Sequence, residues 1–333
     1  MFGANRPKMA DVLSDVRPIS LAEIEVARDR IAGTITRTPL VKLELPASSR
    51  EIYLKLENLQ PINSFKLRGA ANAVGKLPEN RRADGVWTIS AGNAGQGVAY
   101  AARKAGVPCT VVTIDTAPET KVERMRVLGA TLVKAPFDAC WTALEQREFP
   151  GAKGTFVHPF DDDDFIAGNA SIGLEIAEDL PGVAVVIAAL GGGGLITGIA
   201  SALRARLPHV RILCAEPETA APGALSFATG VASTFEGWKA TFVDGAGGKS
   251  VFPRMWQRFK DIVDGSIVVS LAETKRAMRM LAEKARVIAE GAGALPLAAA
   301  LSSNFVGDGP IVVVISGGNI DLGTFCELIA SVD

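Results

Sequence analysis

The sequence has only two histidines in 333 residues, His158 and His209, and neither stands at ligand spacing from a cysteine or a second histidine. That excludes a zinc site of the usual kind. A serine-hydrolase triad would have to use one of the two. His158 precedes Pro159 after a short apolar run and His209 follows Pro208, and both read as structural or solvent-exposed. The four cysteines, Cys109, Cys140, Cys214 and Cys326, are scattered without paired spacing, so no disulfide framework is expected. Cys109 and Cys214 lie in apolar, strand-like runs and read as small buried hydrophobes, which suits a reducing compartment. Aromatic residues are 6% of the chain, and the net charge is −1 with no dense basic run. Both absences argue against a nucleic-acid partner. No apolar run approaches membrane-spanning length, and the N-terminal segment lacks the apolar core of a signal peptide. A cytoplasmic protein without a membrane partner is expected.

Hydrophobic residues make up 48% and charged residues 21%, and the length suffices for two lobes with substantial cores. Many of the 34 glycines cluster at the ends of apolar runs. Residues 1–17 read as a flexible leader. Ser20, with Glu23 three residues on, predicts a capped helix start. From Val86 onward the pattern alternates. Strands are expected over Val86–Ser90, Cys109–Ile114 and Thr131–Lys134, and helices over Gln96–Lys104, Thr120–Leu128 and Ala139–Glu148. Further strands follow over Thr155–His158, Ala184–Leu190, Val210–Ala215 and Ile311–Ser316, with helices over Ala170–Asp179 and Leu195–Leu207. This rhythm predicts an α/β fold with parallel sheets. Continuous apolar runs predict strands buried on both faces, and two lobes with a cleft between them follow. The charge run Asp161–Asp164 reads as a solvated loop before a helix rather than a metal cluster. Residues 220–265 read as loops with short helices.

Four segments carry chemistry. In Asn63-Ser64-Phe65-Lys66-Leu67-Arg68-Gly69-Ala70 a lone lysine follows an aromatic residue and enters an apolar-periodic run. At the edge of an apolar pocket its ammonium pKa would fall, as Schiff-base chemistry needs; alone, it could equally be a lysine that snorkels to solvent. Gly191-Gly192-Gly193-Gly194 closes a strand before a helix starting at about Leu195. Such a turn can aim successive amides at a phosphate, yet it has neither the lysine of a P-loop nor the dinucleotide fingerprint. Ser90-Ala91-Gly92-Asn93-Ala94-Gly95-Gln96-Gly97 is either a seat for a carboxylate at a helix N-terminus or a tight turn capped by Ser90. Ser316-Gly317-Gly318-Asn319 ends a buried strand, where ligands of parallel sheets gather. A serine beside a ring nitrogen leaves that nitrogen largely uncharged, which suits β-elimination better than transamination. A phosphate, an aldehyde for lysine and a heteroaromatic nitrogen together describe pyridoxal 5′-phosphate (PLP).

With these residues the chain resembles the fold-type II PLP enzymes, most closely the branch of serine/threonine dehydratases (threonine ammonia-lyases) and serine racemases. Gln60–Ala70, Ser90–Gly97, Gly191–Gly194, Ile288–Gly293 with Glu290, and Ser316–Asp321 carry the resemblance, which runs from about Ile19 onward. It implies a tryptophan synthase β-subunit-like fold, two open parallel-sheet α/β lobes with the cofactor in the cleft. Residues 1–84 and 156–333 would form the large PLP-binding domain and 85–155 the small substrate-binding domain. By resemblance, Lys66 holds the cofactor as a Schiff base and later serves as the base at the substrate Cα. Lys66 and Ser90 are the catalytic candidates. Phe65 packs near the ring, Asn93 bonds the phenolic oxygen, and Gly191, Gly192, Gly193 and Gly194 with Leu195 hold the phosphate. Ser316 meets the ring nitrogen and Glu290 lies beside the cofactor. Ser64, Ser90, Ala91, Gly92, Asn93 and Ala94 bind the substrate. The implied reaction is dehydration and deamination of a β-hydroxy amino acid such as L-threonine or L-serine, giving a 2-oxo acid and ammonia. Relatives of this kind are commonly homodimers or homotetramers.

The departures from that pattern are informative. Racemases of this branch carry a serine where this chain has Ala91, so racemisation is not expected. The loop usually reads Gly-Asn-His, whereas Ala94 follows Asn93 here. Asn63 and Asn169-Ala170-Ser171 also differ from the usual residues, which points to a β-hydroxy amino acid other than threonine or bulkier than it, phenylserine or 3-hydroxyaspartate for example. Glu216-Pro217 and Ala220 match the racemase cation site, but Pro222 takes the second acidic position, so no metal is expected. The chain ends soon after Ser316, so no regulatory domain of the biosynthetic dehydratases is expected. A β-replacement enzyme would share the phosphate turn but not the Ser-Phe-Lys-x-Arg-Gly segment. A nucleotide-binding dehydrogenase would explain the glycine turns but neither Lys66 nor Ser316.

Overall fold

The computed structural model describes residues 16–45, 50–117 and 119–332. Among the described residues ten strands form two sheets. The six-stranded sheet contains β1 (Leu40–Lys42), β2 (Ile52–Lys55), β7 (Val185–Ala189), β8 (Arg211–Pro217), β9 (Ser266–Val269) and β10 (Ile311–Val314), in the order β1-β2-β10-β7-β8-β9. Only the β1–β2 pair is antiparallel. The four-stranded sheet is parallel throughout, in the order β5-β4-β3-β6, from β3 (Val86–Ile89), β4 (Cys109–Ile114), β5 (Thr131–Ala135) and β6 (Thr155–Phe156).

The long apolar runs explain the layering. Along β7 the side chains alternate between two cores: Val185, Ile187 and Ala189 join one, Val186 and Ala188 the other. Every residue of β3, β7 and β10 is buried. Helices therefore cover both faces, as parallel sheets require. The smaller sheet divides likewise, with Val86 and Val111 on one side and Trp87, Ile89 and Val112 on the other.

The helices that concern the site are α1 (Leu21–Ile31), α2 (Lys66–Gly75), α3 (Asn93–Ala105), α4 (Glu119–Val127), α5 (Phe137–Gln146), α6 (Asp163–Asp179), α7 (Gly194–Arg206), α8 (Pro222–Thr229), α9 (Pro253–Phe259) and α10 (Gly291–Leu301). The Ser20–Glu23 capping box expected at α1 is present in both directions. Cys109 and Cys214 are buried as expected. Among the described residues no helix is long and apolar enough to cross a membrane.

The structure corrects several expectations. The leader expected over residues 1–17 lies outside the described residues up to position 15, and Arg17 is not free: it pairs with Glu23 and Asp163. The acidic run is not a solvated loop. Asp161 is buried and meets Arg147 (2.8 Å), Arg254 (2.7 Å) and Arg258 (3.0 Å), while Asp162 caps α6 by accepting from Phe165 N. Helix α6 thus starts seven residues earlier than Ala170. His158 is buried; its Nδ1 accepts from the Phe160 and Asp161 amides, and burial pushes its pKa down to about 3. It is a neutral structural histidine, the first of the two readings its sequence context allowed.

Candidate active site

Three strands end at one cleft, and each end delivers one of the motifs. β3 leads into Ser90–Ala94, β7 into Gly191–Gly194, and β10 into Ser316–Asn319. The carboxyl ends of parallel strands are where such folds bind ligands, because the loops there are free to vary and helix N-termini converge.

Lys66 is the first residue of α2. The loop before it is fastened to the end of β10: Phe65 N–H donates to Ser316 O (3.0 Å), Gly318 N–H to Asn63 O (2.9 Å), and the Asn319 amide to Ile62 O (2.8 Å). Asn63 holds a left-handed turn at φ 56°, a conformation asparagine tolerates better than most residues. Lys66 Nζ donates to Pro159 O at 2.6 Å and lies 5.3 Å from the centre of the Phe65 ring and 5.4 Å from that of Phe165. Burial pushes its ammonium down to about 8. The desolvated amine expected from the sequence is therefore built, with Pro159 and Phe165 as partners that no nearby sequence signal identifies.

Gly191–Gly194 form a cradle at the start of α7. Gly193 has φ 89°, and a Cβ on Gly192 would come within 2.3 Å of the Phe160 ring. No side chain caps the helix. Leu195 is the second residue of α7 and is buried. A helix start without a side-chain cap, its dipole and the lack of room for side chains suit an anion the size of a phosphate. Ser316 is buried just past the end of β10, beside the lysine loop, from whose Phe65 N–H its carbonyl accepts. Both features fit PLP, one at the phosphate and one at the ring nitrogen.

Asn93 opens α3, with Gly92 at the N-cap and no side-chain cap. Ser90 Oγ accepts from Gly92 N at 3.1 Å, which shapes the turn instead of capping the helix. Ala91 and Ala94 contribute no polar side chain. Ser64 is buried behind the lysine, bridged to Gly317. Asn93 Nδ2 donates to Glu290 Oε1 (2.7 Å), and its Oδ1 accepts from Asn319 Nδ2 (2.8 Å). The second Nδ2 hydrogen remains for a ligand. Arg124 on α4 donates to Asn319 Oδ1 (2.6 Å), and Lys121 pairs with Asp244. These contacts join the segments around the small sheet to those around the large one. Asn319 was legible as part of its glycine motif; Arg124 carried no signal in the sequence.

Glu290 sits in this network with 5% of its surface exposed. Burial first and Asp244 second push its carboxyl up to about 7, against the pull of the Asn93 amide. Its folded pKa lies above the unfolded 4.5, so its contribution to stability is complete below about 4.5 and is lost as pH rises through 7. Glu290→Gln is expected to keep the bond from Asn93, flatten that pH dependence, and stabilise the protein near pH 8 by about 1–3 kcal/mol. Urea unfolding on either side of the window checks it; a wild-type protein that loses no stability across the window would refute it.

Glu216 is engaged elsewhere than in a cation site. Its carboxylate accepts from Gly223 N (2.8 Å), Ala224 N (2.7 Å) and Ser266 Oγ (2.5 Å). Pro222 is at the first position of α8, where a missing N–H has no cost. The glutamate thus caps that helix from the neighbouring strand.

A parallel-sheet fold with a desolvated lysine between two helix N-termini defines a Schiff-base cofactor enzyme. The family described as pyridoxal-phosphate dependent enzyme matches residues 31–317, and the chain belongs to that family. It is 40% identical over 316 residues to the L-threonine ammonia-lyase of Thermotoga maritima, covering 93% of this chain and 78% of that protein. It is 38% identical over 312 residues to the catabolic L-threonine dehydratase of Staphylococcus aureus, covering 91% and 90%. The solved structure of maize serine racemase superimposes with a TM-score of 0.85 at 32% identity, covering 95% of this chain and 98% of that one.

Proposed function

We propose that this protein is a PLP-dependent ammonia-lyase that converts a β-hydroxy α-amino acid into a 2-oxo acid and ammonia. The observation that carries the reading is Lys66: a half-buried amine with a pKa of about 8, held by Pro159 O between the glycine cradle and the Asn93 helix. Kinship with proteins named threonine ammonia-lyase and threonine dehydratase supports the reaction class.

When bound, the cofactor supplies an aldehyde for the amino group and an electron-poor ring that acidifies the Cα proton. The amides of Gly191–Gly194 and Leu195 would hold the phosphate, the Ser316 hydroxyl would serve the ring nitrogen, Asn93 Nδ2 would offer its second hydrogen to the ring hydroxyl, and Phe65 would pack near the ring. Ser90, with Ser64 and the amides from Ala91 to Ala94, orients the substrate carboxylate at the α3 N-terminus. Lys66 Nζ, once released as a neutral amine, takes the Cα proton. Ala91 leaves no acid to reprotonate the opposite face, so the β-hydroxyl departs instead of the centre inverting. Residues 85–155 would form the small substrate domain against a large domain of residues 1–84 and 156–333. The unpaired cysteines support a cytoplasmic location, and a homo-oligomer follows the habit of the branch.

The test is 2-oxo acid and ammonia release by the holoenzyme from L-serine and L-threonine, with and without EDTA. Release of both products, with no D-isomer formed and no loss on chelation, is expected. Formation of D-serine at a rate matching elimination would overturn the role given to Ala91.

A further inference from the structure

We propose that the substrate's side chain enters an aromatic box formed by Trp141, Phe160 and Phe252, and that the preferred substrate class is the β-aryl-β-hydroxy α-amino acids, with L-threo-phenylserine the simplest member. This rests on the elimination reading above and names its substrate.

The three rings line a cavity of about 200 Å³ together with Gly191 and Gly192, the Phe160 ring packing directly on Gly192. Its three rings come from separate parts of the chain: Trp141 from α5, Phe160 from the loop after β6, and Phe252 from the residue before α9. Trp141 and Phe252 meet edge to face with centroids 5.2 Å apart, as do Phe160 and Phe252 at 5.3 Å. All three are half-buried, whereas Phe165 and Phe259 are fully buried. All three line the cavity. The box is also one residue from the reacting amine, because Phe160 follows Pro159, whose carbonyl accepts from Lys66 Nζ.

The wall is rigid. Phe160 N and Asp161 N both donate to the buried His158 Nδ1, and Asp161 is gripped by Arg147, Arg254 and Arg258. These contacts hold the backbone at Phe160 and Asp161.

Size and charge select the occupant. An apolar cavity of roughly 150 Å³ holds a benzene ring; the phosphate would take the end of this cavity at Gly191 and Gly192, and the phenyl group the end at the three rings. The methyl of threonine would leave most of the ring surface uncovered. An acidic side chain is disfavoured too: among the described residues Asp244 is the only ionisable one lining the cavity, and no lysine or arginine lines it. An aryl group would meet three ring faces and edges in the geometry aromatic pairs prefer. The reaction balances without an added oxidant. The Cα–H and Cβ–O bonds break, water leaves, and water returns on hydrolysis, so phenylserine gives phenylpyruvate and ammonia.

The test compares L-threo-phenylserine, L-threonine and 3-hydroxyaspartate with the holoenzyme. The kcat/KM for phenylserine is expected to exceed that for threonine by at least about tenfold, the scale at which a filled apolar pocket discriminates. L-Phenylalanine, which has no hydroxyl to expel, should inhibit competitively about tenfold better than L-alanine. Trp141→Ala should cut the phenylserine-to-threonine ratio of kcat/KM by about tenfold or more while PLP affinity stays the same. Phe252→Leu should move that ratio the same way if the first variant does not fold. Faster turnover of threonine or 3-hydroxyaspartate by the wild type would overturn the box and leave the lyase reading intact. So would a Trp141 variant altered in PLP affinity alone, which would assign the cavity to the cofactor. Benzaldehyde and glycine in place of phenylpyruvate, or no 2-oxo acid from any of the three, would instead overturn the elimination reading and the box with it.

Discussion

Lys66→Ala is expected to abolish turnover and at the same time to stabilise the apoprotein near neutral pH. The loss of rate should be at least about 10³-fold, since the variant has neither the attachment point nor the base at Cα. The gain in stability has a separate cause. Burial holds the ammonium near 8 against an ordinary 10.5, so at pH 7 the folded chain carries a penalty of about 3 kcal/mol for keeping it charged. Attraction to the Phe65 and Phe165 rings and the bond to Pro159 O offset part of this. A net stabilisation of about 1–2 kcal/mol remains. The sign with pH is fixed. The folded pKa lies below the unfolded one, so the wild type gains stability as pH rises from about 8 to 10.5 and the variant's advantage disappears over that interval. Urea unfolding of both apoproteins across the interval measures it. An advantage that grew with pH would contradict the assignment.

Arg68→Met should cost about 3–5 kcal/mol, the penalty for removing one partner from a buried ionic cluster. Arg68 is fully buried two residues after Lys66. Its guanidinium bonds Glu57 (2.7 and 2.8 Å), Glu175 (2.6 and 2.8 Å) and Ser171 (3.0 Å). Lys55 bonds Glu175 from the other side at 2.6 Å. Burial pushes the Glu57 carboxyl up, but Arg68, through its charge and its hydrogen bond, more than reverses this and keeps it below its ordinary value. Without the arginine, two buried carboxylates would face a single lysine. Pairing Arg68→Met with Glu57→Gln should recover part of the loss, since one stranded charge is then gone. Denaturant unfolding of the single and double variants decides it; a single-variant loss below about 1 kcal/mol would show the cluster contributes little.

The β-strands buried on both faces were readable because their apolar runs have no other use. β4 falls on the expected Cys109–Ile114 residue for residue. Strands β1, β2 and β9 were missed, being three or four residues long and mixed with polar and charged side chains. The glycine run, the lysine segment and Ser316 were legible because each has a composition that only a tight turn or a close approach explains. Their convergence was not: it depends on strand order, and β10, last in sequence, inserts between β2 and β7.

By itself the sequence determined the parallel α/β class, and it marked the candidate lysine and the candidate anion-binding helix starts, because periodicity, small residues and capping act over a few positions. Only the tertiary structure decided which charges are buried and what shape the substrate meets. Asp161 looked solvated until Arg147, Arg254 and Arg258 were brought to it, and nothing near Glu216 in the sequence showed that its oxygens accept from the Gly223 and Ala224 amides at a helix start. Trp141, Phe160 and Phe252 are scattered over more than a hundred positions. They become one surface only because the two sheets are packed so that α5, the loop after β6 and the approach to α9 meet at the glycine cradle. Burial and electrostatics are sums over neighbours in space, and those neighbours are set by the packing of distant segments.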